Sequence, residues 1–186
     1  MAEGMIDGGV DLIQLRAKSR SIDEIATVAA TLHPITARRN VALVINDHPE
    51  IARAVGAEGV HVGQDDLPIG QAREIAGPNS IVGKSTHSID QAIRAFQEGA
   101  DYIGFGPIFT TPTKPDYLPI GFHDIRAVHD AVRIPIFCIG GIKLGNLPEV
   151  IAAGARRVVI VSGLLQAPDV ASYARSAKNF LNKTQN

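Results

Sequence analysis

Four segments of the chain share one design: GGVDLIQL from Gly8, GAEGVHVG from Gly56, GADYIGFG from Gly99 and GARRVVIV from Gly154. In each, a glycine is placed to stop a helix in the left-handed conformation, and an apolar run begins within about three residues. Glycine suits that turn because it has no Cβ to clash at positive φ. Helix, glycine, strand and helix again, many times over, means parallel βαβ units. Seven short apolar runs read as the strands: 11–15, 41–45, 59–62, 80–83, 101–105, 136–139 and 157–161. Most are rich in Val and Ile and lack clean alternation, as expected of strands covered on both faces.

Such units build either a closed barrel or an open doubly wound sheet. The even spacing favours the barrel, as does the lack of a G-x-G-x-x-G fingerprint after the first visible strand. A closed barrel of this class needs eight strands, and its chains run from about 200 residues upward. Here seven strands are legible in 186 residues, and residues 2–9 read as the end of a helix. The expected fold is therefore an α/β TIM barrel forming one domain over residues 1–186, with the first strand and most of the first helix absent from the chain. The edges of an unclosed barrel would be hidden in a homo-oligomer.

Helix starts are also legible. Ser21 with Glu24, and Ser88 with Gln91, are spaced as capping boxes. Asp124 and Asn146 are placed as N-caps of two later helices, and Pro34 is expected to kink its helix or end it early.

Composition removes several classes of function. Eighteen basic and 19 acidic residues leave a net charge of −1, which gives no electrostatic case for nucleic acid or an acidic membrane. The single cysteine, Cys138, excludes an internal disulfide and a cysteine-based zinc cluster, and in PIFCIGG it reads as an inert core residue. No apolar run approaches the ~20 residues of a membrane span. The N-terminus carries no basic n-region and no apolar h-region, so a cytoplasmic location is expected.

In this fold the working residues lie at the C-terminal ends of the strands. The first visible strand ends in Gln14, Arg16 and Lys18, alternating so that the three side chains share a face. Arg and Lys so placed suit a phosphate or diphosphate, although they would equally suit a solvated face with Arg16 in an ion pair. The next two strands end in Asn46-Asp47 and Gln64-Asp65-Asp66. Convergent carboxylates suit Mg²⁺ together with substrate phosphates, although an Asp here can also cap a helix. Ser85 reads as a hydroxyl donor to substrate and His87 as a polar pocket or helix-start residue. Thr111, Pro112, Thr113 and Lys114, in the loop GFGPIFTTPTK, supply hydroxyls and an ammonium on a backbone stiffened by proline. Gly141 in IGGI, with Val161 and Ser162 in VVIVSG, occupies the last two strand ends, where barrels of this class commonly bind a phosphate through backbone N–H groups. His33, His48, His61, His123 and His129 show no metal-ligand spacing and are expected to be structural or exposed. A monophosphate site beside a charged diphosphate site suggests group transfer with diphosphate leaving.

The succession QLRAK, VINDH, GVHVGQDDLP, GKSTHS, GFGPIFTTPTK, IGGI and VVIVSG resembles the thiamine-phosphate synthase family from about Gly8 to about Leu165. That family joins hydroxymethylpyrimidine diphosphate to thiazole phosphate with Mg²⁺. The resemblance implies that Gln14, Arg16, Lys18 and Asn46 hold the pyrimidine diphosphate and that Asp47 and Asp66 bind Mg²⁺. It further implies that Ser85 and Lys114 contact the pyrimidine. Thr111, Pro112 and Thr113, with Gly141, Val161 and Ser162, would hold the thiazole phosphate. Ala17 replaces a carboxylate common among relatives, but it lies between inward positions. The rival readings are a TenI-type thiazole tautomerase, which shares the thiazole phosphate site but not the diphosphate equipment, and a non-catalytic phosphate-ligand barrel.

Overall fold

The helix ends fold as their glycines require. Gly9, Gly56, Gly99 and Gly154 have φ of 87°, 73°, 88° and 112°. The residue after each sends its N–H back five positions, to Met5, Ala52, Ala95 and Val150. These bonds are the signature of a Schellman closure. A fifth closure uses Asn40, at φ 53°, with the Val41 N–H on the Thr36 carbonyl. Asparagine tolerates the left-handed region better than most residues.

The structure, a computed structural model, describes residues 1–111 and 118–183. Its strands are β1 (Leu12–Leu15), β2 (Ala42–Asn46), β3 (Gly59–Val62), β4 (Ile81–Thr86), β5 (Tyr102–Phe105), β6 (Ile136–Ile139) and β7 (Val158–Val159). All pair in parallel, in chain order. The helices are α1 (Ala2–Asp7), α2 (Ile22–Ala37), α3 (Pro49–Val55), α4 (Ile69–Ala76), α5 (Ile89–Gln97), α6 (Ile125–Ala131), α7 (Leu147–Ala152), α8 (Ser162–Leu165) and α9 (Val170–Lys183). The result is a TIM-barrel-like α/β fold whose wall has seven strands among the described residues, with β1 and β7 at its two edges. α1 packs on α2 and α9. The α1–α9 seam is held by the Arg175 side chain donating to the Asp7 carbonyl and by an ion pair between Lys178 and Asp11. Gly8 permits the approach, since a Cβ there would lie 2.4 Å from Ala174 Cβ.

Alternate strand residues pack outward against the helices. Leu43, Ile45, Val60, Val62, Val82, Ile103, Phe105, Ile136 and Cys138 are fully buried in one cluster with helix residues such as Ile51, Ile69 and Leu147. Each large aliphatic or Phe side chain buried there contributes about 1.5–3 kcal/mol. Cys138 belongs to this layer, and burial pushes its thiol up to about 12. A disulfide-exchange reagent at pH 8 is therefore expected to label Cys138 only after urea unfolds the protein, whereas stoichiometric labelling of the native chain would contradict its core placement.

Several local expectations need correction. α2 continues through Pro34 to Ala37, almost a full turn beyond it. A proline so near the C-terminus costs one backbone bond but has little helix left to break. The last strand is only Val158–Val159, shorter than the 157–161 run, because the chain turns into α8 at Ser162. Ser21 and Glu24 form the full capping box. Ser88 accepts from the Gln91 N–H, but the Gln91 side chain reaches the His87 N–H instead of closing the box. Asp124 and Asn146 stand at N-cap positions without side-chain caps. Asn146 is occupied elsewhere, accepting from the Lys143 N–H and donating to the Gly141 carbonyl.

Candidate active site

The C-terminal rim is built first by two loops joined to each other. After β5, the Ile108 N–H donates to the Ile139 carbonyl at 2.8 Å, and the Phe109 N–H donates to the Gly140 carbonyl at 3.0 Å. Gly140 and Gly141 allow this contact: Cβ atoms there would lie 2.5 Å from Pro107 Cα and 2.7 Å from Phe109 Cβ. Asn146 secures the Gly141 carbonyl from the other side at 3.0 Å. The GPIFTT and IGGI segments thus form one surface, with Thr111 buried within it. His87 ties the start of α5 to the same loop through the Gly106 carbonyl. Val161 and Ser162 lie at the neighbouring start of α8. Pro112, Thr113 and Lys114 lie outside the described residues.

The charged part of the rim follows β1 to β3. Asp47 stands immediately after β2 with φ 66°, a left-handed conformation that is uncommon outside glycine, held by its N–H on the His61 carbonyl at 2.9 Å. Its side chain does not cap α3, whose N-cap is His48. Asp66 does not cap α4, whose N-cap is Pro68; its carboxylate accepts the Gly63 N–H at 2.6 Å. The two carboxyl groups lie close enough to shift each other's titration, and Lys18 pairs with Asp47 Oδ2 at 3.1 Å. Burial raises the Asp47 carboxyl, helped by Asp66 and opposed by Lys18. Burial also works to raise Asp66, but the Gly63 N–H, the contact with Asp47, and the cations Lys18 and Lys84 outweigh it and hold Asp66 below the usual carboxylate range. The two neighbouring carboxyls are thus pushed in opposite directions, Asp47 up and Asp66 down.

Two neighbouring carboxyl groups supply oxygen donors that a divalent cation fits. Among the described residues no group of three or more His, Cys, Asp or Glu comes together as a metal cluster. Other ligands would come from substrate phosphates and water, as is usual for Mg²⁺. Asn46 is buried beside Asp47 at the end of β2, and Arg16 is half-buried beyond β1. Among the described residues Arg16 makes no ion pair, so the structure offers it no internal carboxylate.

Ser85, near the end of β4, is held in the barrel interior. Its hydroxyl is 2.9 Å from His61 Nε2, and its carbonyl accepts from the Gln64 amide. Sequence reasoning placed His61 among structural or exposed histidines and passed over Tyr102 and Lys84. All three are buried. A charged or polar residue inside an otherwise apolar strand, as in GVHV or VGKS, was the available signal.

No helix among the described residues is long and apolar enough to cross a membrane. A family model described as thiamine monophosphate synthase matches residues 1–164. A thiamine-phosphate synthase of Chloroflexus aurantiacus is 43% identical over 184 residues, covering 98% of this chain and 85% of the relative. One from Shouchella clausii is 46% identical over 169 residues, covering 90% and 81%. The solved structure of thiamine phosphate pyrophosphorylase from Pyrococcus furiosus superposes with a TM-score of 0.92 at 32% identity, covering all of this chain and 89% of that one. With the motifs in order, the fold matched end to end and identities above 40%, the chain belongs to the thiamine monophosphate synthase family.

Proposed function

We propose that this chain is a thiamine-phosphate synthase, a transferase of thiamine biosynthesis that acts as one barrel domain. It joins hydroxymethylpyrimidine diphosphate to thiazole phosphate and releases diphosphate. The observation that carries this reading is the Asp47–Asp66–Lys18 assembly on neighbouring strand ends. A tautomerase acting on the thiazole alone would have no use for that assembly.

The residues divide by charge. Gln14, Arg16, Lys18 and Asn46 hold the pyrimidine diphosphate, with Ser85 and Lys114 beside the pyrimidine. Thr111, Pro112, Thr113, Gly141, Val161 and Ser162 receive the thiazole phosphate. Asp47 and Asp66 hold Mg²⁺, which screens the diphosphate charge when bound. The methylene C–O bond breaks and its electron pair leaves with diphosphate. Arg16, Lys18 and Lys114 neutralise the charge that builds there. The amino-pyrimidine ring stabilises the cation left behind, and the thiazole nitrogen donates its lone pair to form the new C–N bond. No protein nucleophile is needed; the chain supplies placement and electrostatics.

The test is product formation. The chain, mixed with both substrates and Mg²⁺, is expected to yield thiamine phosphate and diphosphate in equal amounts, and EDTA is expected to stop it. A folded chain that turns over neither substrate pair, or one that tautomerises the thiazole without metal, would defeat the proposal.

A further inference from the structure

A line of polar side chains crosses the inside of the barrel and ends at Ser85. Gln14 on β1 hydrogen-bonds the Tyr102 hydroxyl on β5. That hydroxyl is 3.0 Å from His61 Nδ1 on β3. His61 Nε2 is 2.9 Å from Ser85 Oγ on β4. Glycines clear the path. A Cβ on Gly83 would lie 2.1 Å from Tyr102 Cζ, and one on Gly104 would touch the His61 ring at 3.5 Å. The Tyr102 ring is braced edge-on by Phe137, with centroids 5.3 Å apart at 72°.

The neutral imidazole protonated on Nε2 satisfies every bond in this line. Burial keeps the Tyr102 phenol protonated, and the Gln14 amide donates to its oxygen. In that tautomer the phenol donates to His61 Nδ1. A neutral imidazole that accepts at Nδ1 carries its proton on Nε2, which donates to Ser85 Oγ. With Oγ accepting from His61, the Ser85 proton is available to donate elsewhere. An isolated serine hydroxyl would rotate among several acceptors; this one is preset as a donor.

We propose that Tyr102 and His61 are positioning residues that hold the Ser85 hydroxyl as a donor toward an acceptor atom of the pyrimidine diphosphate. The inference rests on the assignment of Ser85 to that substrate. The test is a double-mutant cycle read in kcat/KM for each substrate. Tyr102→Phe removes one oxygen and keeps the ring; it should lower kcat/KM for pyrimidine diphosphate about tenfold and leave the KM for thiazole phosphate within about twofold. In a chain already carrying Gln14→Ala, adding it to Ser85→Ala should bring no further loss, because the remaining path from Tyr102 runs only through that hydroxyl. His61→Gln, which keeps a donor toward Ser85, should retain more activity than His61→Leu. Losses that multiply in the double variant would overturn the relay while leaving the Ser85 assignment standing. Full activity of Ser85→Ala would overturn both. A lowered melting temperature with unchanged kinetics in Tyr102→Phe would make the network purely structural.

Discussion

Replacing Asp66 with Asn is expected to lower turnover by about a hundredfold or more while leaving the fold intact, on the scale seen when one preorganised electrostatic group is lost. The side-chain oxygen that accepts the Gly63 N–H at 2.6 Å survives in Asn, so the loop after β3 keeps its closure. The charge does not survive. In the native site two neighbouring carboxyl groups lie beside Lys18. In the variant one carboxylate remains, already paired with Lys18 at 3.1 Å, and the site loses its net attraction for a cation. The Mg²⁺ concentration giving half-maximal rate should rise, and excess Mg²⁺ should recover part of the activity. Circular dichroism and the melting temperature should match the parent. An unchanged rate at limiting Mg²⁺ would remove Asp66 from the proposed site.

Gly140→Ala should cause a large loss of stability on the rim. At φ 99° an alanine is strained by about 1–3 kcal/mol. Its Cβ would also lie 2.5 Å from both Pro107 Cα and Cβ and 3.1 Å from the Ile108 nitrogen. Those neighbours are backbone and ring atoms, which cannot rotate away. Crowding of this kind adds about 1–3 kcal/mol. The sum, roughly 2–6 kcal/mol, is a large share of a domain's total stability of about 5–15 kcal/mol. It should lower the melting temperature by roughly 5–20 °C. It should also loosen the two bonds that join GPIFTT to IGGI, weakening thiazole phosphate binding in whatever protein folds. Gly145 is the control, because nothing lies within 4 Å of a Cβ there. Gly145→Ala should melt within a degree or two of the parent, and equal melting of the two variants would refute the argument.

Much of the fold was legible because its signals act over a few residues. A glycine forced to positive φ, a serine three positions before Glu24, or a Val- and Ile-rich run between turns restricts the backbone wherever it stands. The strand order and the helix stops followed from these alone. Asn40 escaped notice because it does a glycine's work without being one. Pro34 misled because the helix tolerates it and runs on to Ala37.

The site was legible as a set of strand ends but not as an arrangement. The sequence by itself determined that Arg16, Lys18, Asn46, Asp47, Asp66, Ser85 and Gly141 fall where parallel strands finish, since strand alternation and chain direction are local properties. Only the tertiary structure decided that Asp47 and Asp66 come together beside Lys18. It alone joined Gln14, Tyr102, His61 and Ser85 across the barrel. Those contacts depend on the register between strands far apart in sequence, such as His61 opposite Gly83 and Gly83 opposite Tyr102. A slip of one residue in either ladder would turn each side chain to the opposite face, and register is set by the packing of the whole sheet against its helices.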